Sequence, residues 1–451
     1  MKKIVTILSL IGLTSLISCS NGNQETDGGS TSSQSWHNLK SPFTQSGNSI
    51  DENDAIDTAL VNGLNNGKRY FAFPGNGEIW LYDSGKWMNV TPDDKLLEST
   101  EDFVNFNVDP SGKTVLALTT ENKLLYFNGD TWVDTGLSSC SGTSNLIDYV
   151  AINASFNTIS LLATNGSICQ YNSNNAKWQK ISIKNFDKDS DISLSSLSNA
   201  SQLYIFNPKT PSLTFYNDLS QAGNSISTNF SADDLLDSGS DGFITNLNAS
   251  NVVLFSKSKN NFYFLNNKNS WQDTKLELTQ YGATEITERG YYFDNEGNPY
   301  IFAALNNNKV IVYYHGKWQL TSINIPADAL ISDFVVGLSN STVRLLLSYE
   351  NEDVYDNKTY DIFYDYSTNN AINLEQDKEL NEVFASPSLE YLFAVGSDFK
   401  IYQLNMKSQQ WQDTNFDLRS YGEANNISSM SATNDGVVNL SLSNGAVVSY
   451  Y

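Results

Sequence analysis

A tryptophan returns along this 451-residue chain at a nearly constant interval, and that interval restricts the fold more than any other feature. The residues are Trp87, Trp132, Trp178, Trp271, Trp318 and Trp411, at steps of 45, 46, 93, 47 and 93. Each step of 93 hides a unit that has lost its Trp. The two hidden units are legible at 202–218 (QLYIFNPKTPSLTFYND) and 343–367 (VRLLLSYENEDVYDNKTYDIFYDYS). A typical unit is TVLALTTENKLLYFNGDTWVDT (114–135): an apolar strand, a turn, an aromatic-rich strand, a short turn and a Trp-led strand. Alternating runs rich in Val, Ile, Tyr and Phe, broken by Asn, Gly, Asp and Ser, form strands. Four short strands in about 46 residues is the blade period of a β-propeller. The expected fold is therefore all-β, a single β-propeller. A β-sandwich or several small β-domains gives no reason for an even spacing over the whole chain.

Eight Trp-type strands from 87 to 411, plus one at Trp36, give about nine four-stranded blades. Propellers usually have four to eight, so eight is the alternative. The last unit, VVNLSLSNGAVVSYY (437–451), stops before its Trp strand, and the missing piece stands at the other end as Ser35-Trp36-His37-Asn38-Leu39. An N-terminal strand completing the C-terminal blade removes an exposed sheet edge. A longer period overlies the first: W-x-D-T recurs at Trp132, Trp271 and Trp411, at steps of 139 and 140, as if three blades were used three times.

The N-terminus places the propeller in a compartment. Lys2 and Lys3 precede an uncharged apolar run, Ile4–Ile17, too short for the ~20 residues a membrane-spanning helix needs. Leu16-Ile17-Ser18-Cys19 then resembles the lipobox of bacterial lipoproteins. That resemblance implies a signal peptide over 1–18 and a lipidated Cys19 (diacylated, with palmitate-type chains). It implies a lipid-anchored place in the bacterial envelope, in the outer membrane since Ser20 rather than Asp follows the Cys. Residues 19–35 have no large apolar side chain beyond Cys19 and read as a flexible tether, leaving 36–451 as the propeller. Losing Lys2 and Lys3 takes the formal charge from −23 to −25, which disfavours nucleic acid and anionic lipid as partners. Cys140 and Cys169 remain, and an oxidising envelope permits one disulfide across their 29-residue separation, with two buried thiols as the alternative. With two distant histidines, His37 and His315, they match no familiar zinc spacing.

A second periodicity concerns charge. An acid stands at the start of nearly every unit: Asp57, Asp102, Asp148, Asp191, Asp241, Glu288, Asp333 and Glu382. The ninth unit has Ser428 there. Placed just before the innermost strands, these acids are expected to ring the mouth of the central channel, as a funnel for a cationic ligand or basic protein segment. The structural alternative is that each fixes its own turn by accepting amide hydrogen bonds. Asp187-Lys188-Asp189-Ser190-Asp191 opens like a calcium loop, but Ile192 and Ser198 stand where an EF-hand needs Gly and Glu. Neither a metal nor a cofactor is expected.

The order of turn, Tyr strand and Trp strand resembles tectonin-type lectin propellers, which implies glycan binding; the tectonin Trp before the turn is absent here, so no ligand residues transfer. FNGDTW (127–132) and DSGKW (83–87) do not match the docking element of quinoprotein-type repeats. No G-x-S-x-G, P-loop, dinucleotide fingerprint, H-E-x-x-H or sialidase Asp box occurs. The expected function is a membrane-anchored, non-catalytic, monomeric scaffold that presents an acidic face to another envelope protein. The alternatives are a glycan-binding lectin module and a carbohydrate-active hydrolase or lyase, whose paired carboxylates leave no local motif.

Overall fold

The structure, a computed structural model, describes residues 35–40, 56–57, 70–74, 78–93, 95–97, 103–108, 114–121, 123–137, 140, 147–152, 158–163, 167–172, 175–182, 193–196, 203–207, 212–216, 224–227, 243–245, 252–256, 259–265, 270–294, 296–339, 342–351, 359–374, 380–386, 388–421, 427–432, 437–442 and 446–450. These form nine four-stranded antiparallel sheets, one per sequence unit, so the blade number is nine rather than eight. The innermost strands, in blade order, are Ile56–Asp57, Phe103–Val108, Ile147–Ile152, Ser193–Ser196, Phe243–Thr245, Ile286–Phe293, Ala329–Ser339, Leu380–Ala385 and Ile427–Ala432. The innermost strands of blades three and four, four and five, six and seven, and eight and nine adjoin, and that of blade nine adjoins that of blade one.

Burial follows position in the blade. Second strands lie between two neighbouring blades and are buried on both faces, as over Val115–Thr119, Pro299–Leu305 and Leu392–Gly396. That is why they read as continuous apolar runs. Outermost strands alternate toward solvent, with Trp318 the only residue of Lys317–Leu320 that is not exposed. Where the innermost strands of blades six and seven meet, a Cβ on Gly290 would lie 2.6 Å from Val336 Cγ2, so no larger residue fits.

The Trp repeat has two physical parts. Within a blade the Trp stands directly across from an aromatic on the third strand: Trp87 from Tyr82, Trp132 from Phe127, Trp178 from Tyr171, Trp318 from Tyr313 and Trp36 from Tyr450. Their ring centroids are 5.0–5.3 Å apart in every case. Such in-register pairs are worth about 0.5–1.5 kcal/mol beyond their area. Between blades the indole N–H donates backward, to the third residue after the Trp position of the preceding blade. Trp87 donates to the Leu39 carbonyl at 3.0 Å, Trp178 to Thr135 at 2.6 Å, Trp318 to Thr274 at 3.1 Å and Trp411 to Leu374 at 2.8 Å. Trp132 donates likewise to Val90, and Trp36 to the Thr414 hydroxyl at 3.0 Å. In blade seven Ala371 pairs with Tyr364 where the Trp-bearing blades place a Trp, so that blade accepts a clasp from Trp411 and has no indole there to donate one.

W-x-D-T builds the acceptor. The Asp134, Asp273 and Asp413 carboxylates accept the amides of Gly136, Lys275 and Asn415 at 2.6–2.8 Å, holding those residues at φ of 51–68°. This turn keeps the Thr135 and Thr274 carbonyls and the Thr414 hydroxyl beside the next blade, while the hydroxyls of Thr135 and Thr414 donate back to the Leu124 and Ile401 carbonyls.

The closing strand, Trp36–Lys40, pairs antiparallel with Val447–Tyr450, Trp36 opposite Tyr450. Through Trp36 it reaches blade eight, and through Leu39 it receives the clasp from blade one. Cys140, in the linker from blade two to blade three, is disulfide-bonded to Cys169 on the third strand of blade three, with Cα atoms 5.8 Å apart. Among the described residues no helix is long and apolar enough to cross a membrane.

Two stability measurements follow. Trp87→Phe keeps an aromatic ring but removes the indole donor and part of the buried volume, so urea unfolding is expected to show a loss of at least about 1–2 kcal/mol, the usual cost of a buried acceptor left without its bond. Reducing Cys140–Cys169 frees a 29-residue separation and is expected to cost about 3–4 kcal/mol by chain entropy, read as a lower urea midpoint with reductant than without.

Candidate functional site

Antiparallel blades put two kinds of connection on one face: the linkers leading to the next innermost strand, and the turns between second and third strands. This linker face receives the start of every innermost strand. The sequence-predicted acids gather there only in part. Asp57 and Asp148 lie within innermost strands, and Asp102, Asp191 and Asp241 lie outside the described residues. Glu288, Asp333 and Glu382 also lie within their strands, as the third, fifth and third residues, rather than before them as the sequence reading had it.

A β-bulge accounts for the difference. Six innermost strands shift register near their start, between Phe103 and Asn105, Ile147 and Tyr149, Ile286 and Glu288, Ile331 and Asp333, Leu380 and Glu382, and Ile427 and Ser429. The extra residue changes which side chains are equivalent. The position after the bulge holds Asn105, Tyr149, Glu288, Asp333, Glu382 and Ser429. Asp148 is itself the bulged residue of its strand. Three acids thus share one structural position on the consecutive blades six, seven and eight. Aligning the apolar residue two places earlier (Phe103, Ile147, Ile286, Ile331, Leu380, Ile427) recovers this register from sequence.

Asp333 is one of two half-buried members of the arc. Burial pushes its carboxyl above the ordinary value of 3.8, and the bond it accepts from the Phe334 amide at 2.8 Å offsets that only in part. Glu382 is exposed and Glu288 half-buried. Beside Glu288, the Arg289 guanidinium lies 4.5 Å from the centre of the Phe255 ring. Among the described residues no group of three or more His, Cys, Asp or Glu is placed to hold a metal ion.

The linker face of blade eight carries a feature that sequence reasoning missed. The turn between Leu392–Gly396 and Lys400–Asn405 displays Phe399, 46% exposed and at φ 64°. The corresponding turns of blades five and six place Asn260 and Asn308 in that left-handed conformation. Asn tolerates it, whereas a bulky L-residue pays on the order of 1–2 kcal/mol. The turn is fixed on all sides. The Phe399 amide bonds to Gly396 and its carbonyl accepts from Leu418, both at 2.9 Å, and Asp398 accepts from the Tyr402 hydroxyl at 2.5 Å. Around it Lys400 pairs with Asp413, and Arg419 forks onto Asp417, each closest at 2.6 Å. The Arg419 bonds hold the Asp417 carboxyl down at about 2.

The aromatic stripes have a different role. Their rings are spent on the in-register pairs and indole clasps, and Trp87 is 4% exposed. On the opposite face, Tyr300 stacks on Tyr314 at 3.8 Å and meets Tyr366 edge-on, which joins blades six and seven.

No protein-family model matches the chain, and no curated protein sequence matches it. Solved structures do. Dipeptidyl peptidase 4 of Porphyromonas gingivalis superposes with a TM-score of 0.54 at 11% identity, over 89% of this chain and 66% of that one. The WD40 domain of SCAP from fission yeast gives 0.48 at 10% identity, over 88% and 97%. The C-terminal WD40 domain of Sif2 gives 0.43 at 10%, over 88% and 95%. This chain spans just under two thirds of the peptidase's length, and at such identity the likeness is one of fold, the β-propeller.

Asp333 makes the arc measurable by pH. Its folded carboxyl binds protons more tightly than the unfolded one, so stability falls as pH rises from 3.8 through the raised folded value. Asp333→Asn removes that slope, and its thermal midpoint is expected to equal or exceed the parent's at pH 7; parallel pH profiles for the two chains would contradict the assignment.

Proposed function

We propose that the chain is a lipid-anchored, non-catalytic scaffold of the bacterial envelope that presents the acidic linker face to a basic segment of another envelope protein. The observation that carries this reading is the arc of Glu288, Asp333 and Glu382, one per blade at equivalent positions. It belongs to a chain of formal charge −23. A desolvated carboxylate such as Asp333 is a poor stabiliser of its own fold and a good receiver of a Lys or Arg. The disulfide between Cys140 and Cys169 supports export to an oxidising compartment. The lipobox at Cys19 supplies the anchor, and two acyl chains are what stable anchoring requires. A monomeric propeller on a tether keeps this face free for the partner.

A second reading, a glycan-binding module, is favoured by one observation, the exposed Phe399. A carbohydrate-cleaving activity has no comparable support.

Full-length chain expressed in a lipoprotein-processing bacterium is expected to incorporate labelled palmitate, and Cys19→Ala to lose the label. Capture from detergent-solubilised envelope at ~20 mM salt is expected to recover a basic partner. Recovery should drop several-fold at ~300 mM, where the screening length falls below 10 Å, and in the triple variant Glu288→Gln, Asp333→Asn, Glu382→Gln. Recovery indifferent to both salt and the triple variant would contradict the acidic-face reading.

A further inference from the structure

Among the described residues four large apolar side chains are exposed: Val133, Leu320, Leu330 and Phe399. Val133 and Leu320 lie on the outermost strands of blades two and six, and Leu330 near the start of the innermost strand of blade seven. They are dispersed over different blades, unlike the apolar centre of a protein–protein interface, which is one continuous patch. Phe399 differs from the other three. It is the one aromatic, and it occupies a backbone conformation that disfavours it and that sister blades fill with Asn. Its ring is displayed by a turn whose backbone and neighbouring Asp398 are already tied down.

We propose that Phe399 is the stacking platform of a carbohydrate subsite on the linker face of blade eight, with the Arg419–Asp417 and Lys400–Asp413 pairs binding the hydroxyls of the same sugar. This rests on the glycan-binding reading and gives it a location. A pyranose presents an apolar C–H face and a rim of hydroxyls that both donate and accept. The site offers the counterpart of each: one isolated ring, and beside it two charge pairs in which donors and acceptors alternate. Lys400 stands across from Asp417 in the strand register, and Arg419 follows Leu418, whose amide holds the Phe399 carbonyl. The five side chains therefore belong to one small surface. Each carboxylate has lone pairs, and each cation N–H groups, beyond those its partner takes. Because the turn is rigid before binding, little ordering opposes capture of a small ligand. The near balance of charge here, two cations to three nearby carboxylates counting Asp398, suits an uncharged sugar better than the strongly basic segment proposed for the arc.

The test uses the mature chain on an array of neutral hexosides and N-acetylated amino sugars, followed by calorimetric titration of the best binder. Phe399→Asn, which installs the residue of blades five and six, is expected to weaken binding at least tenfold with an unfolding temperature equal to or above the parent's. Arg419→Gln is expected to weaken it several-fold, and Leu320→Asn, on blade six, to leave it unchanged. If the parent binds no array sugar, the glycan-binding reading fails and this inference with it. If the parent binds and Phe399→Asn binds equally, the reading survives and the location is wrong. If no sugar binds but Phe399→Asn weakens capture of the envelope partner, the ring is a protein contact and the carbohydrate proposal is overturned.

Discussion

The hydrogen bond from a tryptophan indole to a main-chain carbonyl of the preceding blade is the interaction on which this propeller depends. A blade is a small twisted sheet with apolar faces, and packing alone leaves it free to slide against its neighbour. The indole N–H removes that freedom at the outer edge, where packing is thinnest, and the same ring packs against the aromatic across the strand pair. The acceptor is prepared as carefully as the donor. In the W-x-D-T units the Asp turns the chain into a left-handed residue and sets the Thr beside the next blade, which meets the carbonyl of Thr135 and Thr274 and the hydroxyl of Thr414. Because the donor sits on an outermost strand and the acceptor on one or directly after it, insertions elsewhere in a unit change its length without breaking the clasp. This is why Trp spacing is even though not uniform.

The same interaction explains how the ends of the chain meet. The Trp36–Lys40 strand fills the open edge of Val447–Tyr450, and it also donates one clasp and accepts another. The ninth blade is thereby held from both flanks. Without that strand, the third strand of the last blade, Val447–Tyr450, would be left as an unpaired apolar edge, which sheet proteins avoid.

Much of this was legible in sequence, and the rest was hidden for identifiable reasons. The blade period, the nine units and the closing strand were readable because each blade must solve one packing problem with the same few residues. The clasp was not, since its acceptor lies some forty residues upstream of Trp87 or Trp178 and is a backbone atom, which leaves no side-chain trace. Asp134 and Asp413 were visible as a motif without a purpose for the same reason. The acids were misplaced because a bulge adds a residue to the innermost strands, so an even count along the chain does not keep one structural register; Asp148 and Glu382 looked equivalent and are one position apart. Phe399 was overlooked because SDFKIY reads as an ordinary turn, and only its left-handed φ, set against Asn260 and Asn308, marks it.

The linker face thus bears an acidic arc near the axis and a rigid aromatic turn farther out on blade eight, both carried by a ring that, among the described residues, indole clasps tie at six blade junctions. The direct test of that account is the exchange of indole protons in ¹⁵N-tryptophan-labelled protein, followed by NMR in D₂O. The clasping indoles of Trp36, Trp87, Trp132, Trp178, Trp318 and Trp411 are expected to exchange orders of magnitude more slowly than a free indole. Deleting the Trp36–Lys40 strand should accelerate the Trp87 indole first, since its acceptor is removed. Exchange of these six at the rate of free tryptophan would contradict the clasp and the ring built on it.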